Sequence, residues 1–158
     1  MTAIVNRRRE TSPLTSGPGY WLRLGHKALT RPLADELRSR GIAFKHYFYI
    51  RTLLEEDGIT QAELSDRVGM ERATVTVVLD TLEDLGIVVR EPHPSDRRKT
   101  NVFLTTKGRR MKGDVLESVA ISNKVALKGI SAAEFERFRK TLAQMIANVE
   151  AYEAAADS

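Results

Sequence analysis

The chain has 158 residues, 42% of them hydrophobic and 29% charged, which suits one domain with a buried core and excludes wholesale disorder. It contains no cysteine, so disulfide scaffolds, Cys-ligated zinc and thiol redox sensing are excluded, and a reducing cytoplasm is the default location. Net charge is +4, yet residues 90–112 hold eight Lys/Arg against two acidic residues, a local +6 in a chain whose remainder sums to −2. Such a concentration fits a phosphate-binding surface or a solvated face.

In chain order, residues 1–19 carry Arg7-Arg8-Arg9, Ser12-Pro13 and Gly17-Pro18-Gly19. They read as a flexible basic arm, with too little apolar surface to offset the entropy of ordering. Its charge suits DNA phosphates or plain solvation. No apolar stretch follows the arginines, so no secretory signal is expected, and no run approaches the roughly 18–20 apolar residues of a membrane span.

From Tyr20 the pattern is helical: Leu22, Leu29, Leu33 and Leu37 keep near one face, and Pro32 predicts a kink or break. A second apolar helix is expected from about Ala43 to Glu56, stopping at Asp57-Gly58. Thr60-Gln61-Ala62-Glu63 is a capping box that opens a short helix through Arg67. Gly69 is available for a tight turn, and a longer helix follows from Glu71 to Leu85. Its apolar positions Val75, Val78, Leu79, Leu82 and Leu85 face inward, which leaves Arg72, Ala73, Thr76, Val77 and Asp80 outward.

The period then changes. Ile87–Glu91 and Asn101–Thr105 read as two short strands around a nine-residue basic loop, Pro92–Thr100. Helix returns near Thr106 and is expected to reach about Lys128. A last helix opens at the capping box Ser131-Ala132-Ala133-Glu134. Phe135, Phe138, Leu142, Met145, Val149 and Tyr152 step along it by 3, 4, 3, 4 and 3, a heptad seam that fits another subunit's helix or a monomeric bundle.

A short helix, a turn, a second helix and a basic hairpin make a winged helix-turn-helix. The second helix fits the major groove, and an arginine-tipped wing can reach the narrower minor groove. Thr60–Gly108 resembles the MarR family of bacterial transcriptional regulators. The likeness rests on Thr60-Gln61-Ala62-Glu63-Leu64, Ala73-Thr74-Val75-Thr76, Leu82-Glu83-Asp84-Leu85-Gly86, Asp96-Arg97-Arg98 and Leu104-Thr105-Thr106-Lys107-Gly108.

The resemblance implies a mainly α fold, a winged helix-turn-helix with a two-stranded β-wing and N- and C-terminal dimerisation helices. The organisation expected is an arm (1–19), an N-terminal dimerisation region (20–42), a winged DNA-binding domain (43–108), C-terminal dimerisation helices (109–152) and a tail (153–158). It further implies a homodimer on a pseudo-palindromic double-stranded DNA operator, often a repressor released by a small aromatic or phenolic ligand. No cofactor and no membrane partner are implied.

Within that frame Arg98 is the wing-tip side chain for the minor groove, oriented by Asp96, with Arg97 and Lys99 on phosphates. Arg90 is a candidate for phosphate contact or for wing support. Arg72 suits guanine or phosphate; Ala73, Thr76 and Val77 suit thymine methyls, with the threonine hydroxyls on bases or phosphate; Thr74 suits a phosphate. Asp80 stands where the family often has a basic residue, and either removes a phosphate contact or bonds cytosine N4. Thr60 and Gln61 are candidates for phosphate contact at a helix N-terminus, or for capping alone.

Six of the ten aromatic residues, Tyr20, Trp21, Phe44, Tyr47, Phe48 and Tyr49, fall in the first two helices. With His26, His46 and Arg51 they offer either a pocket for a planar ligand or ordinary core; the pocket candidates are Tyr20, Trp21, His26, Phe44, His46, Tyr47, Phe48 and Arg51. His46 and Arg51 are candidate anchors for a ligand carboxylate. No metal-binding, nucleophile-elbow or phosphate-loop motif is present, so an enzyme is not expected. Rival readings are a winged-helix protein-interaction module without DNA binding, an enzyme using the aromatic cavity, and a transcriptional activator of the same fold.

Overall fold

The computed structural model describes residues 15–156, in two compact units that divide between Ser122 and Asn123. Arg7-Arg8-Arg9 and most of the arm lie outside the described residues. Helix α1 spans Pro18–Ser39 and begins two residues before the expected boundary, with Pro18 in its first turn, where a missing amide costs nothing. Its backbone stays helical through Pro32, against the break expected there. Ala28, whose carbonyl loses its amide partner to Pro32, is exposed, as are Lys27 and Leu29, so solvent can satisfy that carbonyl.

Helix α2 (Phe44–Glu55) supplies the largest share of the core. His46, Tyr47, Tyr49, Ile50, Thr52 and Leu53 are all buried along it. The two-residue strand β1 (Ile59–Thr60) leads into α3 (Gln61–Val68), followed by α4 (Arg72–Asp84). Val75, Leu79 and Leu82 of α4 are fully buried against Leu64 of α3, Leu37, Ile50, Leu53, Val102 and Leu104 in one core cluster. Leu85, expected inward, caps α4 and is 44% exposed.

Strands β2 (Val88–Pro92) and β3 (Thr100–Leu104) form the hairpin, in register from Val88 opposite Leu104 to Pro92 opposite Thr100. The loop between them is residues 93–99, shorter than expected because pairing extends further toward the tip. The sheet has three antiparallel strands, not two: β1 pairs with β3 in the order β1-β3-β2. Asp57 reinforces this edge by accepting from the amide of Leu104 (2.8 Å) and pairing with Arg109.

Thr105 caps α5 (Thr106–Arg110) by accepting from the Gly108 amide, and its hydroxyl donates to the Gly86 carbonyl at 2.6 Å. A Cβ on Gly108 would lie 2.3 Å from the Ile87 carbonyl oxygen, so close approach of two backbones explains the glycine that ends the Leu104–Gly108 motif. The single helix expected after Thr106 is divided at Met111, whose amide bonds back three residues to Gly108; α6 then spans Lys112–Ala126. Arg40, at the end of α1, pairs with Glu36 (2.7 Å) and with Glu117 of α6 (3.3 Å).

The second unit starts within α6 and holds α7 (Ala132–Ala156), which continues past the expected end at Tyr152. Ser131 caps it, accepting from the Glu134 amide and donating its own amide to the Glu134 carboxylate (2.9 Å). No residue of α7 is buried. Among the described residues no helix is long and apolar enough to cross a membrane.

Candidate nucleic-acid interface

The helix pair is held by short-range chemistry. The Thr60 hydroxyl accepts from the Glu63 amide (3.2 Å), and the Glu63 carboxylate accepts from the Thr60 amide (2.8 Å) and hydroxyl (2.7 Å). Those bonds hold the Glu63 carboxyl below the usual carboxylate range. Gly69 ends α3 in the left-handed region (φ +66°), which a glycine enters without steric cost. The Ser65 hydroxyl donates to the Met70 carbonyl and the Met70 amide to the Ser65 carbonyl, which closes the turn and fixes α4 against α3.

On α4, Arg72, Ala73, Thr74, Val77 and Asp80 are exposed and Thr76 is half-buried. The Gln61 side-chain amide donates to the Thr76 hydroxyl at 2.7 Å, and that hydroxyl donates to the Arg72 carbonyl at 3.0 Å. Gln61 thus braces α4 from α3.

In the wing, the Asp96 carboxylate accepts from the Arg98 amide (3.1 Å) and from its Nε (3.2 Å). These bonds, with nearby Lys99 and His93, hold the Asp96 carboxyl below its ordinary range. The Lys99 amide donates to the Asp96 carbonyl (2.9 Å) and the His93 amide to the Lys99 carbonyl (3.0 Å). Asp96 therefore organises the loop, while the Arg98 side chain stays 91% exposed. Arg97 is also exposed.

Thr60, Gln61, Ala62, Arg72, Arg98, Lys99 and Thr100 line one cleft of about 350 Å³. Five of the expected residues, from the start of α3, the start of α4 and the wing, thus meet at one basic concavity. Arg90 does not join them. Its guanidinium is bound to Glu83 (2.6 Å) and to Asp80 (2.7 Å), and its amide donates to Glu83 (3.0 Å). Hydrogen bonds from Arg90 push the Glu83 carboxyl below its usual range. The arrangement staples the first wing strand to α4, and it gives Asp80 a partner inside the chain.

A second cavity of about 310 Å³ is lined by His26, Phe44, Lys45, Phe48, Tyr49, Val68, Met70, Thr74 and Val78. Of the eight expected pocket residues, His26, Phe44 and Phe48 line it, and Tyr20, Trp21, His46, Tyr47 and Arg51 do not. His46 and Tyr47 are buried in the body of the unit, and burial lowers the His46 pKa, with Lys45 adding to the effect. Arg51 lies over the Tyr47 and Phe48 rings at 6.0 and 5.8 Å and near Glu55 at 3.8 Å. Of the lining residues missed from sequence, Lys45 and Tyr49 share one face of α2 with the expected Phe44 and Phe48, and Thr74 and Val78 form one flank of α4, at i, i+4 spacing; Val68 comes from the end of α3 and Met70 from the turn between α3 and α4. The Tyr49 hydroxyl is buried with no hydrogen-bond partner, and burial raises its pKa.

Residues 45–100 match the family model described as MarR family. The chain carries a MarR-family domain. Its matched span covers α2 to the start of β3, the elements that build both the cleft and most of the second cavity. The chain is 33% identical over 86 residues to the HTH-type transcriptional regulator TtmR of Methylorubrum extorquens (strain PA1), a match covering 54% of this chain and 44% of that relative. It thus spans less than half the length of that curated relative.

Among solved structures, a MarR-family transcriptional regulator from Silicibacter pomeroyi is 26% identical with a TM-score of 0.72, covering 86% of this chain and 92% of its own. CouR from Rhodococcus jostii RHA1, bound to p-coumaroyl-CoA, is 21% identical with a TM-score of 0.73, covering 85% and 95%. The MarR-family fold, mainly helical with a small antiparallel wing sheet, is common to all of these structures and to this chain.

Proposed function

We propose that this chain is a DNA-binding transcriptional regulator that acts as a homodimer on a pseudo-palindromic duplex, and represses until a small aromatic ligand releases it. The observation that carries the reading is the basic cleft. It places the exposed Arg98 guanidinium, Lys99, Arg72 and the N-terminus of α3 around one concavity, the charge and shape that a phosphate backbone requires. Arg98 then enters the minor groove, Arg72, Arg97 and Lys99 meet phosphates, and α4 lies in the major groove. Thr60 and Gln61 serve this surface mainly as cap and brace, and Arg90 as the staple between wing and helix.

Dimerisation is supported by α7 taken alone. Its seam residues Phe138, Met145, Val149 and Tyr152 are 53%, 39%, 56% and 76% exposed, an apolar stripe that a second copy would cover. Release is supported by the second cavity, because Thr74 and Val78 belong to α4 itself. A ligand among Phe44, Phe48 and Tyr49 shifts binding only through different affinities for the two placements of that helix. Thr74, on this reading, serves the cavity rather than a phosphate. The p-coumaroyl-CoA on CouR agrees with an aromatic effector.

Salt dependence tests the DNA reading. With Arg72, Arg97 and Lys99 of both protomers on phosphates, log affinity for duplex DNA falls against log salt with a slope of about −5. A flat titration would favour a winged-helix module that binds protein instead.

A further inference from the structure

Beyond Arg72 at its start, the middle of the outward face of α4, positions 73, 76, 77 and 80, offers few hydrogen-bonding groups, because the chain's own contacts occupy them. Thr76 is the only hydroxyl-bearing residue among the outward positions 73, 76, 77 and 80. Its single proton is donated to the Arg72 carbonyl (3.0 Å), and one of its lone pairs takes the Gln61 amide (2.7 Å). It has no donor left for a base, and what it retains is one acceptor lone pair and a methyl group. Thr81, one turn further, likewise donates its proton to the Val77 carbonyl (3.1 Å). Asp80 is bound through one carboxylate oxygen by the Arg90 guanidinium at 2.7 Å. Between them stand Ala73, exposed, and Val77, 66% exposed. Neither side chain has a polar atom.

In the major groove only one base carries an apolar group, the C5-methyl of thymine; the other edges offer donors and acceptors that must be matched or left unpaired at a cost. From this we infer that α4 selects its half-site by thymine methyls packed against Ala73, the Thr76 methyl and Val77, with Gln61 as a positioning residue that engages the Thr76 hydroxyl and Arg90 as one that holds Asp80 toward the wing. This rests on the DNA-binding reading and narrows it. The half-site core under Ala73, Thr76 and Val77 is thymine-bearing.

The test uses duplexes recovered by the full chain from a random pool of double-stranded DNA. Thymines under α4 are replaced one at a time by deoxyuridine, which pairs identically but lacks the methyl. Affinity falls about fourfold for each contacted methyl, the fold-change carried by burying one methyl-sized group, and it is unchanged at thymines outside the half-site. In Val77→Ala, whose fold is protected by the exposure of that residue, one of these positions loses its sensitivity. Equal affinity for thymine and deoxyuridine duplexes overturns the inference while leaving DNA binding standing. So does a Val77→Ala chain that keeps full sensitivity at every position. Failure to recover any duplex removes the DNA-binding reading and this inference together.

Discussion

Arg98→Ala lowers affinity for the selected duplex by about 1–3 kcal/mol per wing, roughly 5- to 150-fold, measured by fluorescence anisotropy at fixed salt. The size follows from where the side chain stands. Its ion pair with Asp96 is 91% exposed on the arginine side, so the pair contributes little to the stability of the free protein. The loop keeps its shape without the guanidinium, because the Asp96 carboxylate still accepts from the residue 98 amide and the Asp96 carbonyl from the Lys99 amide. What is lost is the cation that a narrow minor groove attracts. The thermal midpoint is therefore unchanged while affinity drops. Unaltered affinity would show that the wing tip does not meet DNA.

Leu142→Asp abolishes the dimer at micromolar concentration. Leu142 sits mid-seam on α7, between Phe138 and Met145, and is half-buried even in the single chain. Twofold symmetry places two such carboxylates in one apolar contact. An unpaired charge there costs several kcal/mol per copy, beyond what a short seam recovers. Because α7 buries no residue within the chain, the helix persists, which circular dichroism confirms. Sedimentation velocity or light scattering then reports a monomer. A stable dimer would assign the seam to packing within one subunit, and duplex affinity, which depends on two linked lobes, serves as a second readout.

The sequence was most legible where local chemistry and fold agree. The capping boxes at Thr60 and Ser131 mark helix starts that the structure keeps, since a cap needs only residues three apart. The wing is announced by β-branched residues flanking a basic loop. Strand β1 was invisible because two residues carry no period, and its existence depends on β3, some forty residues away. Pro32 does not break α1, because the carbonyl it orphans is exposed and solvent can satisfy it. The second cavity was legible only in part. Adjacent aromatics in the sequence drew attention to His46, Tyr47 and Arg51, but a helix turns about 100° per residue, so neighbours in sequence point to different sides. The staple of Arg90 to Asp80 and Glu83 likewise requires the hairpin to be laid beside α4 before it can be seen.

The most direct measurement is selection of bound duplexes from a random pool by the full chain, followed by sequencing. Inverted half-sites whose centres lie about one helical turn, roughly 34 Å, apart are enriched if two linked lobes read the duplex. Enrichment of a single unrepeated motif, or recovery of no preferred sequence, would contradict a twofold pair of reading helices and arginine-tipped wings.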